Sequence, residues 1–207
     1  MQIDRILYPI LTLGYGRRIA IWTIGCERRC FGCSNPELQA FDSSKNISLD
    51  LILNIILSYK DKIDGVTITG GEPFLQKDPL LTLLKELKSN GIEDILVYTG
   101  NTLNELKDMR DKKVDEILKN IDVLIDGHYV EELNDNKGIR GSSNQKVHVF
   151  NSNLKEKYKA LEGERKVQNI YYKNNSINIG IPLKNSLIRE SNLNNRGLIK
   201  KGSDNIW

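Results

Sequence analysis

The chain has 207 residues, 39% hydrophobic and 28% charged, a composition that fits a soluble globular fold and excludes a disordered one. Lys and Arg number 30 against 27 Asp and Glu, and a net charge of +3 is too small an excess for a chain that binds nucleic acid through charge alone. No apolar run reaches the ~18 residues of a membrane span, and Asp4 and Arg5 break up the first apolar residues where a signal peptide needs continuity. The expectation is a cytoplasmic protein with neither membrane nor nucleic-acid partner.

In chain order, Ile19 to Ile24 is a short apolar, partly β-branched run that predicts a strand leading into a cysteine-rich loop. Leu49 to Tyr59 predicts a buried helix, and Gly65 to Thr69 a strand ending in a glycine pair. Asp78 and Pro79 read as the N-cap and first residue of a helix whose inner face is Leu80, Leu81, Leu83, Leu84 and Leu87, with Gly91 past its end. Ile95 to Tyr98 is the next strand. Thr102 and Glu105 form a capping-box pair; Leu103, Leu106 and Met109 give the helix that follows one face, and Val114, Ile117, Leu118 and Ile121 continue it after a charged break. Asp122 to Ile125 is a further strand. Beyond residue 151 the pattern weakens, with a helix expected over Asn153 to Leu161 and strands over Lys166–Tyr172 and Ser176–Ile181.

Strands alternating with helices predict an α/β fold with a parallel sheet. A closed eightfold barrel takes ~250 residues, so the expectation is a partial TIM-like barrel of five or six βα units. It forms a single domain over residues 1–207, with a core over 12–182 and a polar, Asn-rich extension over 183–207.

The cysteines carry the chemistry. Cys26, Cys30 and Cys33 are the chain's only three, and an odd, clustered set in a cytoplasmic chain points to a metal or cluster rather than to disulfides. An iron–sulfur cube normally takes four thiolates, so three leave one iron open to a non-cysteine ligand. Arg17, Arg18, Arg28 and Arg29 flank this loop and could offset cluster charge, or simply form a solvated basic surface. A structural zinc is the alternative, although His128 and His148 lie far along the chain and have no paired spacing. Gly70-Gly71-Glu72-Pro73 directly follows a strand, with a carboxylate suited to an ammonium group, and is equally readable as an ordinary turn. Thr99, Asp126 and His128 stand at the next strand ends, where Thr and Asp are commonly turn formers and a lone His is more often a surface or core-satisfied histidine than a catalyst. In a parallel barrel all of these gather at the C-terminal face, where barrel enzymes work.

Together these residues resemble the radical S-adenosylmethionine superfamily: Cys26-x3-Cys30-x2-Cys33 matches its cluster motif, and Gly70-Gly71-Glu72-Pro73 its Gly-Gly-Glu turn. The stretch from Gly25 through Cys33 to Glu37, with Val97–Gly100, Asp122–Gly127 and Arg140–Gln145, is similar to the small activases of glycyl-radical enzymes, above all those of anaerobic ribonucleoside-triphosphate reductase. Tyr15 and His128-Tyr129 depart from the pattern of those activases, which bears on the partner rather than on the chemistry.

The resemblance implies a [4Fe–4S] cluster on Cys26, Cys30 and Cys33 and S-adenosylmethionine bound at its open iron. Gly70, Gly71, Glu72 and Pro73 would hold the methionine end, with Thr99 and Asp126 near the carboxylate and ribose; His128, at a place where the chain departs from the family, is a candidate catalytic residue by its position alone. It further implies an electron from a donor such as flavodoxin, and a glycyl radical raised on a partner enzyme, class III ribonucleotide reductase in the first instance. A deazaguanine synthase-like enzyme acting on a metabolite or peptide, and a non-catalytic zinc module, are the other readings of the same residues.

Overall fold

The computed structural model describes residues 1–172 and 175–184. Its elements run β1 (Ile3–Ile10), β2 (Arg18–Thr23), α1 (Leu49–Leu57), β3 (Gly65–Gly70), α2 (Lys77–Ser89), β4 (Ile95–Tyr98), α3 (Leu103–Asp108), α4 (Lys112–Lys119), β5 (Val123–Asp126), β6 (Lys146–Val149), α5 (Lys155–Lys159), β7 (Gln168–Tyr172) and β8 (Asn175–Ile179). Most of the expected extension, residues 185–207, lies outside the described residues.

Six strands form one sheet in the order β1-β2-β3-β4-β5-β6. The four β-branched runs read from the sequence are its parallel centre, with Ile21 opposite Ile68, Ile68 opposite Val97 and Val97 opposite Leu124. Two antiparallel edge strands, β1 and β6, flank them. The expectation of five or six βα units is thereby corrected: three helical crossovers join four parallel strands, and the sheet stays open. Strands β7 and β8 form a separate antiparallel hairpin.

Alternation along each strand sends side chains to two faces. On one, Ile19, Ile21, Val66, Ile68, Ile95, Val97 and Leu124 pack against Ile52 and Ile56 of α1, Leu80, Leu83, Leu84 and Leu87 of α2, and Val114 and Ile117 of α4. Met109, expected on the inner face of its helix, is instead 46% exposed because α3 ends one residue earlier and the chain turns there. On the other face, Ala20 and Trp22 meet Ile10, Leu13 and Ile179, while Leu96, Val123 and Ile125 meet Ile139, Leu154 and Tyr158.

Two local readings are also corrected. Helix α2 begins at Lys77, not after Asp78, because a 3-10 turn over Pro73–Gln76 runs directly into it; the Glu72 side chain caps that turn by accepting from the Phe74 N–H. Arg18 does not flank the cysteine loop. It opens β2 at the opposite end of the sheet, fully buried, where Nη1 pairs with Asp94 Oδ2 at 2.9 Å, Nε donates to Thr67 Oγ1 at 2.7 Å, and Nη2 donates to Val66 O at 2.7 Å. The Tyr158 hydroxyl donates to Asp94 Oδ1 at 2.7 Å and completes this buried charged cluster.

Candidate functional site

Each predicted site residue stands where a parallel strand ends. The cysteine loop leaves β2, the Gly70-Gly71-Glu72 turn leaves β3, Thr99 follows β4, and Asp126 closes β5. Strand pairing continues past the strands themselves. The Gly71 N–H donates to Thr23 O and the Glu72 N–H to Gly25 O, both at 2.7 Å, so the glycine turn holds the residue just before Cys26. This close approach requires glycine: Gly70 has φ +104 with the Thr23 backbone 2.5 Å from where a Cβ would sit, and a Cβ on Gly71 would collide with Gly25 O.

Glu72 is 3% exposed. Its Oε1 accepts from the Phe74 N–H at 3.0 Å and the Thr99 hydroxyl at 2.9 Å, and its Oε2 accepts from the Gly100 N–H at 2.7 Å. Burial pushes this carboxyl above the ordinary carboxylate range, while the three donors pull it back. Pro73 is buried at the first position of the turn that follows. Asp126 accepts from the Leu103 N–H at 2.7 Å and the Lys146 N–H at 3.1 Å, and His148 Nε2 lies 2.9 Å from it. Asp126 thereby anchors the start of α3 and the first residue of β6. The His128 side chain is exposed, and its carbonyl accepts from Asn144 Nδ2 at 2.9 Å.

All three cysteines are free and half-buried. Backbone N–H groups of Arg28 and Arg29 point at the Cys26 sulfur, and the Asn35 N–H lies 3.4 Å from the Cys33 sulfur. Burial pushes both thiols up; the Cys26 and Cys30 sulfurs add to this at Cys33, and Glu72 and Cys30 add to it at Cys26. Three crowded thiols with aimed N–H groups make a donor set that gains from a shared cation. Among the described residues no three Cys, His, Asp or Glu side chains meet at one metal-sized point, so the sulfurs share a loop without closing a tight cage. Of the flanking arginines, Arg28 turns to the next strand end, donating to Asn101 Oδ1 at 2.6 Å and lying 3.3 Å from Glu105.

A cavity of about 440 Å³ opens beside this loop. Cys33, Asn35 and Gly70 border one side, Trp22 and Tyr98 the floor, and the hairpin with residues 180–183 the far side. Several residues that the sequence did not single out build it. Gln145 accepts from the Gly141 N–H at 2.6 Å and donates to Gly127 O at 2.6 Å. Buried Arg165 donates to Arg140 O at 2.6 Å and Pro182 O at 3.2 Å, tying a loop to the far wall. Gln168 holds the hairpin to the end of β1, accepting from the Leu11 N–H at 2.9 Å and donating to Pro9 O at 2.8 Å. Gln145 stood in the Arg140–Gln145 stretch and Gln168 in an expected strand, but neither side chain was singled out, and Arg165 carries no motif.

Residues 12–148 match the family described as 4Fe-4S single cluster domain. The chain belongs to that family. A three-thiol loop one ligand short of a closed cubane fits the single cluster of its description. This cluster-domain chain is also 33% identical over 144 residues to the pyruvate formate-lyase-activating enzyme of Staphylococcus aureus (strain USA300), covering 67% of this chain and 56% of that one. The enzymes of the same name from strains NCTC 8325 / PS 47 and COL match to the same extent. The matched segment thus spans 56% of the length of these curated relatives. Among the described residues no helix is long and apolar enough to cross a membrane.

Proposed function

We propose that this chain is a radical S-adenosylmethionine activase that raises a glycyl radical on a partner enzyme. The observation that carries the reading is the backbone stitch between the cysteine loop and the Gly-Gly-Glu turn, with a cavity bordered by both Cys33 and Gly70. In this reading Cys26, Cys30 and Cys33 hold a [4Fe–4S] cluster. Gly70 and Gly71 let the backbone approach the methionine end of S-adenosylmethionine, and Glu72, Pro73 and Thr99 keep that turn in place. Asp126 fixes the neighbouring strand end on the ribose side. A volume of about 440 Å³ falls within the range of small-molecule sites. Cluster and S-adenosylmethionine together supply one-electron reductive cleavage of the sulfonium, while the chain orients the cofactor and excludes water. A reduced donor such as flavodoxin provides the electron.

Motif resemblance favours anaerobic ribonucleoside-triphosphate reductase as partner, whereas the relatives are named for pyruvate formate-lyase. A second reading, a radical enzyme acting on a small metabolite, draws on the hairpin that walls in the cavity.

The test is anaerobic. Protein reconstituted with iron and sulfide is reduced, given S-adenosylmethionine, and assayed for 5′-deoxyadenosine by mass spectrometry, with Cys30→Ala alongside. Product from the wild type and none from Cys30→Ala is expected. Electron paramagnetic resonance of mixtures with either reductase or lyase then identifies the partner, and turnover on metabolites alone would favour the second reading. No product from protein with a verified, reducible cluster overturns the radical reading, and zinc in place of iron supports the binding module.

A further inference from the structure

The last strand of the sheet, β6, is open on its outer side. Antiparallel pairing sends a residue's N–H and C=O to the same side, alternating along the strand. The Lys146 N–H donates to Asp126 Oδ1 at 3.1 Å and the Phe150 N–H to Asp122 O at 2.8 Å, so the even-numbered residues face β5. Val147 and Val149 therefore present their backbone groups outward, without partners among the described residues. They open into a groove of about 650 Å³ between β6 and α5.

Charge lines this groove unevenly. Lys146, Lys155 and Lys159 border it, exposed and without ion-pair partners among the described residues, and Glu162 is the one carboxylate on its rim. Arg140 also lies there, its guanidinium held by Asp135 at 2.7 Å. Val147 is 36% exposed and Lys146 beside it on the strand is exposed, while Lys155 and Lys159 come from α5.

We propose that the β6 edge is a docking surface for an extended acidic segment of a protein partner, which adds to the sheet as a seventh strand. The unpaired N–H and C=O groups supply ladder bonds at strand spacing. Acidic residues on one face of the added strand would meet Lys146, and apolar residues on the other would meet Val147 and Val149, with Lys155 and Lys159 of α5 near that side. The same lysines repel a second copy of this edge, since like charges would meet, and so select an acidic strand over self-pairing. A phosphate backbone would use the lysines and leave the ladder groups unmet. The inference is independent of the radical reading, and its test uses no turnover.

The probe is a blocked, fluorescein-labelled peptide of alternating Glu and Val, titrated onto the full cluster-reconstituted chain and followed by anisotropy, with a Lys–Val peptide and a single-stranded oligonucleotide as comparisons. The Glu–Val peptide is expected to bind selectively, to weaken as salt rises from about 50 to about 300 mM, and to protect the Val147 and Val149 amides from hydrogen exchange. Val147→Pro removes an outward N–H while sparing the β5 ladder; it should abolish binding with circular dichroism and cluster absorption unchanged. Lys146→Glu/Lys159→Glu, a surface change, should weaken binding about tenfold or more. Equal binding of both peptides, binding of neither, unchanged affinity in the lysine double variant, or preference for the oligonucleotide overturns the proposal.

Discussion

The Thr99 hydroxyl donates to Glu72 Oε1 across 2.9 Å, joining the ends of two adjacent parallel strands through side chains. With the Phe74 and Gly100 N–H groups it leaves the buried carboxylate with three internal donors. Thr99→Val keeps the shape and removes the donor, and it also takes away the acceptor used by the Asn101 N–H. A loss of about 1–3 kcal/mol is expected in urea unfolding, with weaker S-adenosylmethionine binding, and Thr99→Ser should restore most of both.

The Arg18–Asp94 pair lies at 0% and 4% side-chain exposure. Asp94→Asn leaves a buried guanidinium without its counter-charge, and a loss of about 3–5 kcal/mol is expected. Tyr158→Phe removes one bond to the same carboxylate and should cost about 1 kcal/mol. Equilibrium denaturation of both variants checks the order; equal losses would mean that the charge is compensated elsewhere.

Gly71→Ala drives a Cβ into Gly25 O and breaks the bond between Gly25 and the Glu72 N–H. The parallel pairing of β2 with β3 lies upstream of this contact. Iron content per chain should therefore fall after reconstitution while circular dichroism remains that of the wild type. Full iron loading of Gly71→Ala would show that the stitch does not support the cysteine loop.

At the start of α3 the Thr102 hydroxyl accepts from the Glu105 N–H at 3.1 Å and Glu105 Oε2 accepts from the Thr102 N–H at 2.6 Å. The Thr102 N–H holds the Glu105 carboxyl below its ordinary range. Its folded pKa is depressed, so the stability it adds is present above the unfolded value of about 4.3 and fades as pH falls through the folded one. Thr102→Ala should cost about 1 kcal/mol at neutral pH. Glu105→Gln should destabilise at pH 7 and converge on the wild type in acid, as read by unfolding at both pH values.

What the sequence disclosed follows from how local each signal is. The runs around Ile21, Ile68, Val97 and Leu124 are buried on both faces, so their apolar, β-branched content announces parallel strands without help from tertiary context. Thr102 with Glu105 works within one turn and was equally plain. Strand β1 escaped notice because two register irregularities and Pro9 interrupt its pattern, and β6 because it is a four-residue edge with lysine and histidine at alternate positions. Arg18 misled for a related reason: a guanidinium beside an apolar run reads as surface, and only Asp94, far along the chain, makes its burial tolerable. The cysteine spacing pointed at once to a cluster, in keeping with the matched cluster-domain family. The two strands of the far wall were legible, but the bonds that fasten it stayed hidden because Arg165 and Gln168 act through carbonyls and amides, which any residue can offer.

The two margins of the sheet are not equivalent. On the first strand, Gln2 bridges Asn46, and the Ile47 N–H donates to Met1 O; at its other end Gln168 claims Pro9 O and the Leu11 N–H. One margin is stoppered at both ends while the other is left open, so growth of the sheet has a direction. Under the proposed docking, a partner strand that joins beyond β6 would extend the sheet on the border away from the contacts at Gln2, Ile47 and Gln168.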